Sequence, residues 1–317
     1  MVKVCRLSEI PPEREGGFVL VAVLWICGLL AVLAATLAIS MRAQIRVTAN
    51  VIESAKAEAL AEAGVVLAVM DLRSSRQQRD YAPRIPVGDH AWSCVIAGEG
   101  RLRILISDAA GRIDINSAGI PLIQSLIAGL GVPSEKAARL AEAILDYRDT
   151  DDERMPNGAE TAEYLAAGLG WGPKNAAFQT VDELGQVLGM TPEILDQLRP
   201  YVGVHSGLVG IDPIHAGADL VAILRAGWQS STGAFRSFPK LHPDFSLPAI
   251  FIAHSRRRIY ELTVEATTTS RAVHATYVVL DLGIRNNTDY QFLRWTRSLR
   301  SLSQDKKSQA PNATQGC

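Results

Sequence analysis

At 317 residues, with 48% hydrophobic and 21% charged residues, the chain has an ordinary globular balance and room for two modest domains. A formal net charge of -1 speaks against a general nucleic-acid binder, whose affinity comes from clustered Lys and Arg that displace counterions from phosphate. With composition so neutral, the informative signals are positional.

Residues 1–17 form a short polar leader in which charge stops at Gly16-Gly17-Phe18. From Phe18 to Met41 there is no charged residue, a run of 24, and about 20 apolar residues suffice to cross the bilayer core as a helix. A cleaved secretory signal normally has an apolar region of only about 7 to 15 residues, so a retained anchor is favoured over a cut after Ser40. Lys3, Arg6 and Arg14 precede the span and Arg42 and Arg46 follow it, which leaves its orientation open. No proline occurs between Pro12 and Pro83, and Ile45, Ala49, Ile52, Ala59, Ala63, Val66 and Met70 recur at helical spacing. The pattern predicts one helix of about 55 residues, roughly 80 Å long, apolar in its first half and amphipathic in its second.

A polar linker, "RSSRQQRDYAPRIPVGD", leads to "AWSCVI" and "RLRILIS", which read as a hairpin turning at Gly98-Glu99-Gly100. From Ile115 to about Tyr201 the period becomes helical, with helix starts at Ser134-Glu135 and Thr191-Pro192. "RIDINSAGIPLIQSLIAGLG" and "GIDPIHAGADLVAILRAGW" echo each other, as a true repeat or as two ordinary loop-to-helix entries. After a Ser-, Pro- and Phe-rich loop (residues 229–248) strands return in "RIYELTVEATTT", "AVHATYVVLDLG" and "YQFLRW". The tail from Ser301 is polar, with the composition of a disordered segment. Cys94 and Cys317 can pair in an oxidising compartment, although the position of Cys317 at the end of that tail speaks against it.

Enzyme signatures are largely absent: the six histidines include no His-x-x-x-His pair, and neither a Gly-x-Ser-x-Gly elbow nor a Gly-Lys-Ser/Thr phosphate loop occurs. "GLGWGPKN" follows a helix and reads as a turn. The one dense acidic constellation is "DYRDTDDERMPNGAETAEY", residues 146–164. Counting Asp149 as the first position, Asp151, Glu153 and Glu160 fall at the third, fifth and twelfth, the oxygen spacing of a 12-residue calcium loop. Arg154 stands where such loops need Gly, and Pro156 alters the backbone, so a solvated acidic loop and a cation site both fit. Catalytic carboxylates are a weaker third reading. The helical block, with units such as "LIAGLGVPSEKAARLAEAI", also resembles helix-hairpin-helix nucleic-acid-binding units, but Glu135, Glu142, Asp146 and Asp149 make the neighbourhood acidic.

A Gly-Phe junction opening an uncharged span, continued by an amphipathic helix and a sheet, resembles type IV pilin-like proteins. More specifically, "GFVLVAVLWICGLLAVLAA", "AKAEALAEAGV", "SDAAGRIDINSA", "AILDYRDTDDERMPNGAETAEY", "FQTVDELGQVLGMTPEILDQLRPYVGVHS" and "YQFLRW" resemble, in order, the minor pseudopilin K family of type II secretion systems. The resemblance implies an α+β pseudopilin fold: a long N-terminal helix packed on an antiparallel sheet, with a large all-helical domain inserted between strands. The division expected is a prepilin leader (1–17), the transmembrane and amphipathic long helix (18–80), the first part of the sheet (81–111), the inserted helical domain (112–230), closing antiparallel strands (231–300) and a disordered tail (301–317).

For function, the resemblance implies a non-enzymatic subunit anchored in the inner membrane by a single pass with its head in the periplasm. Its place would be the tip of the pseudopilus, beside minor pseudopilins I and J, contacting other pseudopilins through the long helix and possible secreted cargo through the head. Prepilin peptidase would cut between Gly17 and Phe18 and methylate Phe18. Calcium would be bound in the head, a role carried onto Asp149, Asp151, Asp152, Glu160 and Glu163. Most pilin-like subunits carry Glu at the fifth mature position, where it can neutralise a neighbour's N-terminal amine in the apolar filament core. Here that position is Ala22, as the K family has it, which suits a subunit with no neighbour beyond it. The alternative is a membrane-anchored helix-hairpin-helix nucleic-acid-binding protein, recognisable by salt-sensitive DNA binding of residues 112–205. A metal-dependent hydrolase using Asp149 or Asp151 is a further alternative.

Overall fold

The computed structural model describes residues 16–78, 82–231, 246–256, 258–283, 290–298, 302 and 315–317. Most of the leader, most of the loop after residue 229 and most of the polar tail lie outside the described residues. Helix α1 runs Gly16–Gln77, 62 residues, somewhat longer than the periodicity predicts. The chain divides between Lys56 and Ala57 into two compact units. In the first, α1 presents its apolar side chains outward all round, with Leu24 64%, Trp25 75% and Leu37 58% exposed. A helix apolar on every face and buried on none is suited to a lipid surround.

In the second unit the remaining turns of α1 bury Ala57, Ala61, Val65, Ala68, Val69 and Leu72, a stripe at 3-4 spacing. That stripe lies on a six-stranded sheet built from β1 (Trp92–Ile96), β2 (Gly100–Asp108), β5 (Ile259–Thr268), β6 (Val273–Asp281), β7 (Gln291–Arg297) and β8 (Gln315–Gly316). The strand order is β7-β6-β5-β2-β1-β8, antiparallel throughout except for the final β1–β8 pair. Gly98, at φ +80°, makes the β1–β2 turn that its sequence announced. Leu102, Ile104, Ile106, Leu262, Val264 and Val278 form the core beneath the helix. Gly64 lets helix and sheet close, since a Cβ there would stand 2.7 Å from a Val264 methyl.

β2 and β5 are neighbours in the sheet, paired from Gly100–Thr268 to Asp108–Tyr260, yet the chain between them makes a helical domain with its own core. It contains β3 (Ile113–Asp114), α2 (Ile120–Gly129), α3 (Ser134–Arg148), α4 (Thr161–Ala166), α5 (Pro192–Leu198), β4 (Val202–Gly203) and α6 (Ala218–Ser231). Thr191 caps α5 by accepting from Ile194 N, whereas Ser134 is the first helical residue of α3 and Pro133 occupies the cap. "VDELGQ" is a 3-10 turn rather than an α-helix. Gly185 lies inside it and Gly189, at φ +86°, follows it, which together keep an α-helical run from forming. On the face of the sheet away from α1, buried charge is paired: Arg112 Nη1 lies 2.8 Å from Glu261 and Arg103 lies 3.7 Å from Glu265.

The sequence echo is a repeated local structure. Asp114 and Asp212 are both buried, and each accepts from the amide two residues on, Asn116 N at 2.8 Å and Ile214 N at 3.0 Å. The other carboxylate oxygen closes a distant segment, Gly207 N at 2.6 Å in one copy and Ser255 N at 2.8 Å in the other. Ile113 and Ile211 each make a parallel bridge, to Val202 and Ile252. The helices that follow, α2 and α6, pack on one another.

Asn116 adds a clasp that sequence alone does not mark. Its Nδ2 donates to Phe178 O and Val204 O, and its Oδ1 accepts from Phe178 N at 2.7 Å. Removing these partners strands main-chain groups that other bonds do not replace. Asn116→Ala is expected to destabilise the domain by about 1.5 kcal/mol, read as a lowered urea midpoint with unchanged slope.

Candidate functional site

The acidic stretch begins on α3, whose buried side holds Leu140, Ala141, Ile144 and Tyr147. One turn from the helix end Asp146 is also on that side, fully buried. Its carboxylate accepts weakly from Met155 N at 3.3 to 3.4 Å, and Gly158 passes so close that a Cβ there would stand 2.0 Å from Oδ2. Glu142, a turn earlier, takes Asn157 N at 2.6 Å and Asn157 Nδ2 at 2.9 Å. The loop between Asp149 and Glu160 is thus folded back onto the helix that precedes it. Arg148 fastens the same helix end to the "DINSA" segment, donating to Ile115 O and, at 2.8 Å, to Ala118 O.

The loop ends at the start of α4. Glu160 is the residue before its first turn, and Glu163 Oε2 accepts from Glu160 N at 3.0 Å while its other oxygen faces Arg154 at 3.3 Å. Glu163 is therefore occupied in holding the loop end. Asp151 accepts from Glu153 N at 2.9 Å, and Asp152 from Asn175 Nδ2 at 2.8 Å, with Asn175 in the left-handed region at φ 49°.

Three carboxylate oxygens are different. Both oxygens of Glu160 and Oδ1 of Asp149 are buried and accept no hydrogen bond. Burial first, and then the charges of Asp146, Asp149, Asp152 and Asp151, push the Glu160 carboxyl up to about 7. Burial and Asp151 raise Asp149, and burial raises Asp146. Buried carboxylates without donors are costly unless protonated or matched by a cation, and hard oxygens are what Ca²⁺ takes. The donor set fits that ion in kind. Among the described residues, however, no group of three or more His, Cys, Asp and Glu side chains stands in metal-holding geometry. The carboxylates converge on one region without forming a finished cage.

Asp146 and Glu142 were read from sequence only as part of an acidic neighbourhood and not as site residues, and Asn175 was not singled out. Asp146 and Glu142 had a usable signal, since they precede Asp149 by three and seven residues, one helix face of α3. Asn175 had none, because its approach to Asp152 is long-range. Gly17 and Phe18 lie in the first turn of α1, their side chains outside the described residues, and Ala22 follows one turn later in the same helix.

The family model for type II secretion system protein K matches residues 102–207, which take in most of β2, α2 to α5 and the acidic loop. The type II secretion system protein K of Klebsiella pneumoniae is 27% identical over 207 residues, covering 60% of this chain and 63% of that protein. That of Dickeya chrysanthemi is 34% identical over 83 residues, 26% of this chain and 22% of that one. The chain therefore matches somewhat under two thirds of the length of the first relative and about a fifth of the second. A chain of the solved GspK–GspI–GspJ complex from the type 2 secretion system of enterotoxigenic Escherichia coli superposes with a TM-score of 0.53 at 16% identity. The superposition covers 82% of this chain and 99% of that one, a likeness of fold. With a long helix on its sheet, a helical insertion and the acidic motif, the chain is similar to type II secretion system protein K in sequence over residues 102–207 and in fold over most of its length.

Proposed function

We propose that the chain is a minor pseudopilin that stands at the tip of the periplasmic pseudopilus and supports export across the outer membrane, with no catalytic step of its own. The observation that carries this reading is the family match over residues 102–207, the part in which the chain departs most from a plain helix-and-sheet subunit. The precursor sits in the inner membrane through the apolar half of α1, with the second unit in the periplasm, and prepilin peptidase cuts between Gly17 and Phe18. Minor pseudopilins I and J are the partners proposed for the mature chain, with other pseudopilins along α1 and secreted cargo at the head. The solved structure similar in fold supports this choice, being a complex of GspK, GspI and GspJ. Ala22 supports the terminal position, since a subunit packed beneath another would leave that neighbour's amine unneutralised in an apolar surround. An intact-mass spectrum of protein purified from membranes is expected to give a chain starting at N-methylated Phe18. Any other mature N-terminus overturns the reading.

For the acidic loop the proposal is a structural calcium ion held by Asp149 and Glu160 with Asp151 and Asp152, while Glu163 positions Glu160. The ion supplies positive charge that lets the buried carboxylates stay ionised together. Asp149 tethers the site to α3 and Glu160 to α4, so closure around a cation fixes one helix against the other.

A further inference from the structure

The two outer edges of the sheet are protected by different means. β7 carries Arg294 and Arg297, and its pairing with β6 is broken by a register shift at Val279/Leu280, which leaves Leu293 as an extra residue. Charge and irregularity of this kind discourage another strand from adding to an edge. β1, "WSCVI", has neither charge nor proline, and its pairing with β2 is regular over all five residues. What covers its outer side is the segment 315–317. Gln315 and Gly316 pair in parallel with Cys94 and Val95, Cys317 N donates to Val95 O at 3.3 Å, and Cys317 is disulfide-bonded to Cys94 across a separation of 223 residues.

A strand of two residues is too short to hold itself at an edge by its own pairing. The disulfide raises the local concentration of those residues at the edge and so keeps them there. Cys94 is fully buried in the core beneath α1, which gives the tether a rigid anchor.

We infer that residues 315–317 are a disulfide-locked strap that guards the β1 edge, and that opening the lock turns this edge into a pairing surface for a second copy of the chain. Opening takes two electrons and two protons from a dithiol, which leaves as its own cyclic disulfide, and yields the Cys94 and Cys317 thiols. The occupant is a second copy because two β1 edges of the same uncharged, regularly pleated sequence can pair antiparallel about a two-fold axis. Val95, 38% exposed, lies where such a pair would meet.

The test uses the full chain in detergent with Cys27→Ser, which removes the exposed cysteine of the span. With the lock intact, residues 93–96 are expected to exchange their amide hydrogens slowly. On dithiothreitol treatment, or with Cys94→Ser plus Cys317→Ser, exchange there should rise about tenfold at low protein concentration. At high concentration the mass by light scattering should double and protection should return. Adding Val95→Lys to the serine pair should abolish that dimer while leaving the circular dichroism spectrum unchanged. Unaltered exchange at 93–96 in the reduced chain overturns the strap. A reduced chain that stays monomeric, or a dimer indifferent to Val95→Lys, overturns the edge-pairing role.

Discussion

Gly227→Ala is expected to lower the stability of the second unit by about 3 kcal/mol, with a fall in melting temperature of roughly 10 °C. Gly227 lies on α6 where that helix crosses α2, and a Cβ there would stand 1.8 Å from Ser125 O and 2.7 Å from Gly129 N. Both obstacles are backbone, so the helices have to separate rather than a side chain swing aside. The contact is reciprocal: a Cβ on Gly129 would meet Ile223 O at 2.1 Å. Separation opens the core around Leu122, Leu126, Leu220 and Leu224, whose burial is what holds the helical domain together. Gly119→Ala is the control, because its Cβ would meet only Pro121 Cδ at 3.7 Å. Calorimetry in which the two variants melt alike would show that the close crossing is unimportant.

Glu160→Gln is expected to change stability in opposite directions with and without calcium. In the folded, ion-free chain the Glu160 carboxyl titrates near 7, above its ordinary 4.5. The folded form therefore keeps a proton, between those values, that the unfolded chain has released. The corresponding stabilisation is complete below about 4.5 and is lost as pH rises through 7. At pH 8 the ionised group is buried without donors, and Gln removes that charge, so the ion-free variant should melt higher than the ion-free parent. With calcium present the order should invert. At an ion concentration a hundred times the Kd the parent gains about 2.7 kcal/mol, which the variant lacks. The same titration predicts that calcium binding at pH 6.5 releases a proton, measurable as a binding enthalpy that varies with the ionisation enthalpy of the buffer. A parent whose melting temperature is indifferent to calcium and chelator across this range rules out the structural ion.

Much of the architecture was legible before the fold was known. The charge-free run from Phe18 to Met41, and the helical recurrence from Ile45 to Met70, announce α1 because both are local patterns with one geometric solution. Gly98 announces the β1–β2 turn in the same way. Within the stretch read as helical in period, Val181–Gln186 is a 3-10 turn, because its apolar spacing is helical while Gly185 disfavours an α-helical backbone. The acidic loop was visible as composition. That Glu160 and Asp149 are left without donors, while Glu163 is taken by Glu160 N and Arg154, depends on how α3 and α4 meet, and spacing does not encode this.

The sequence by itself determined the elements whose residues are neighbours along the chain: the spanning helix, the amphipathic continuation and the hairpin, while it left the Ile-Asp echo open. Only the tertiary structure decided which distant residues meet. It set β2 beside β5 across the helical domain, brought Gly227 onto Ser125, buried Asp146 against Gly158 and closed Cys94 on Cys317. The polar tail led to the opposite expectation for that last pair, because composition reports what a segment can bury and not where its final residues are tied. Periodicity is a property of three or four consecutive residues. Pairing over 223 residues is settled by which distant segments the fold brings together.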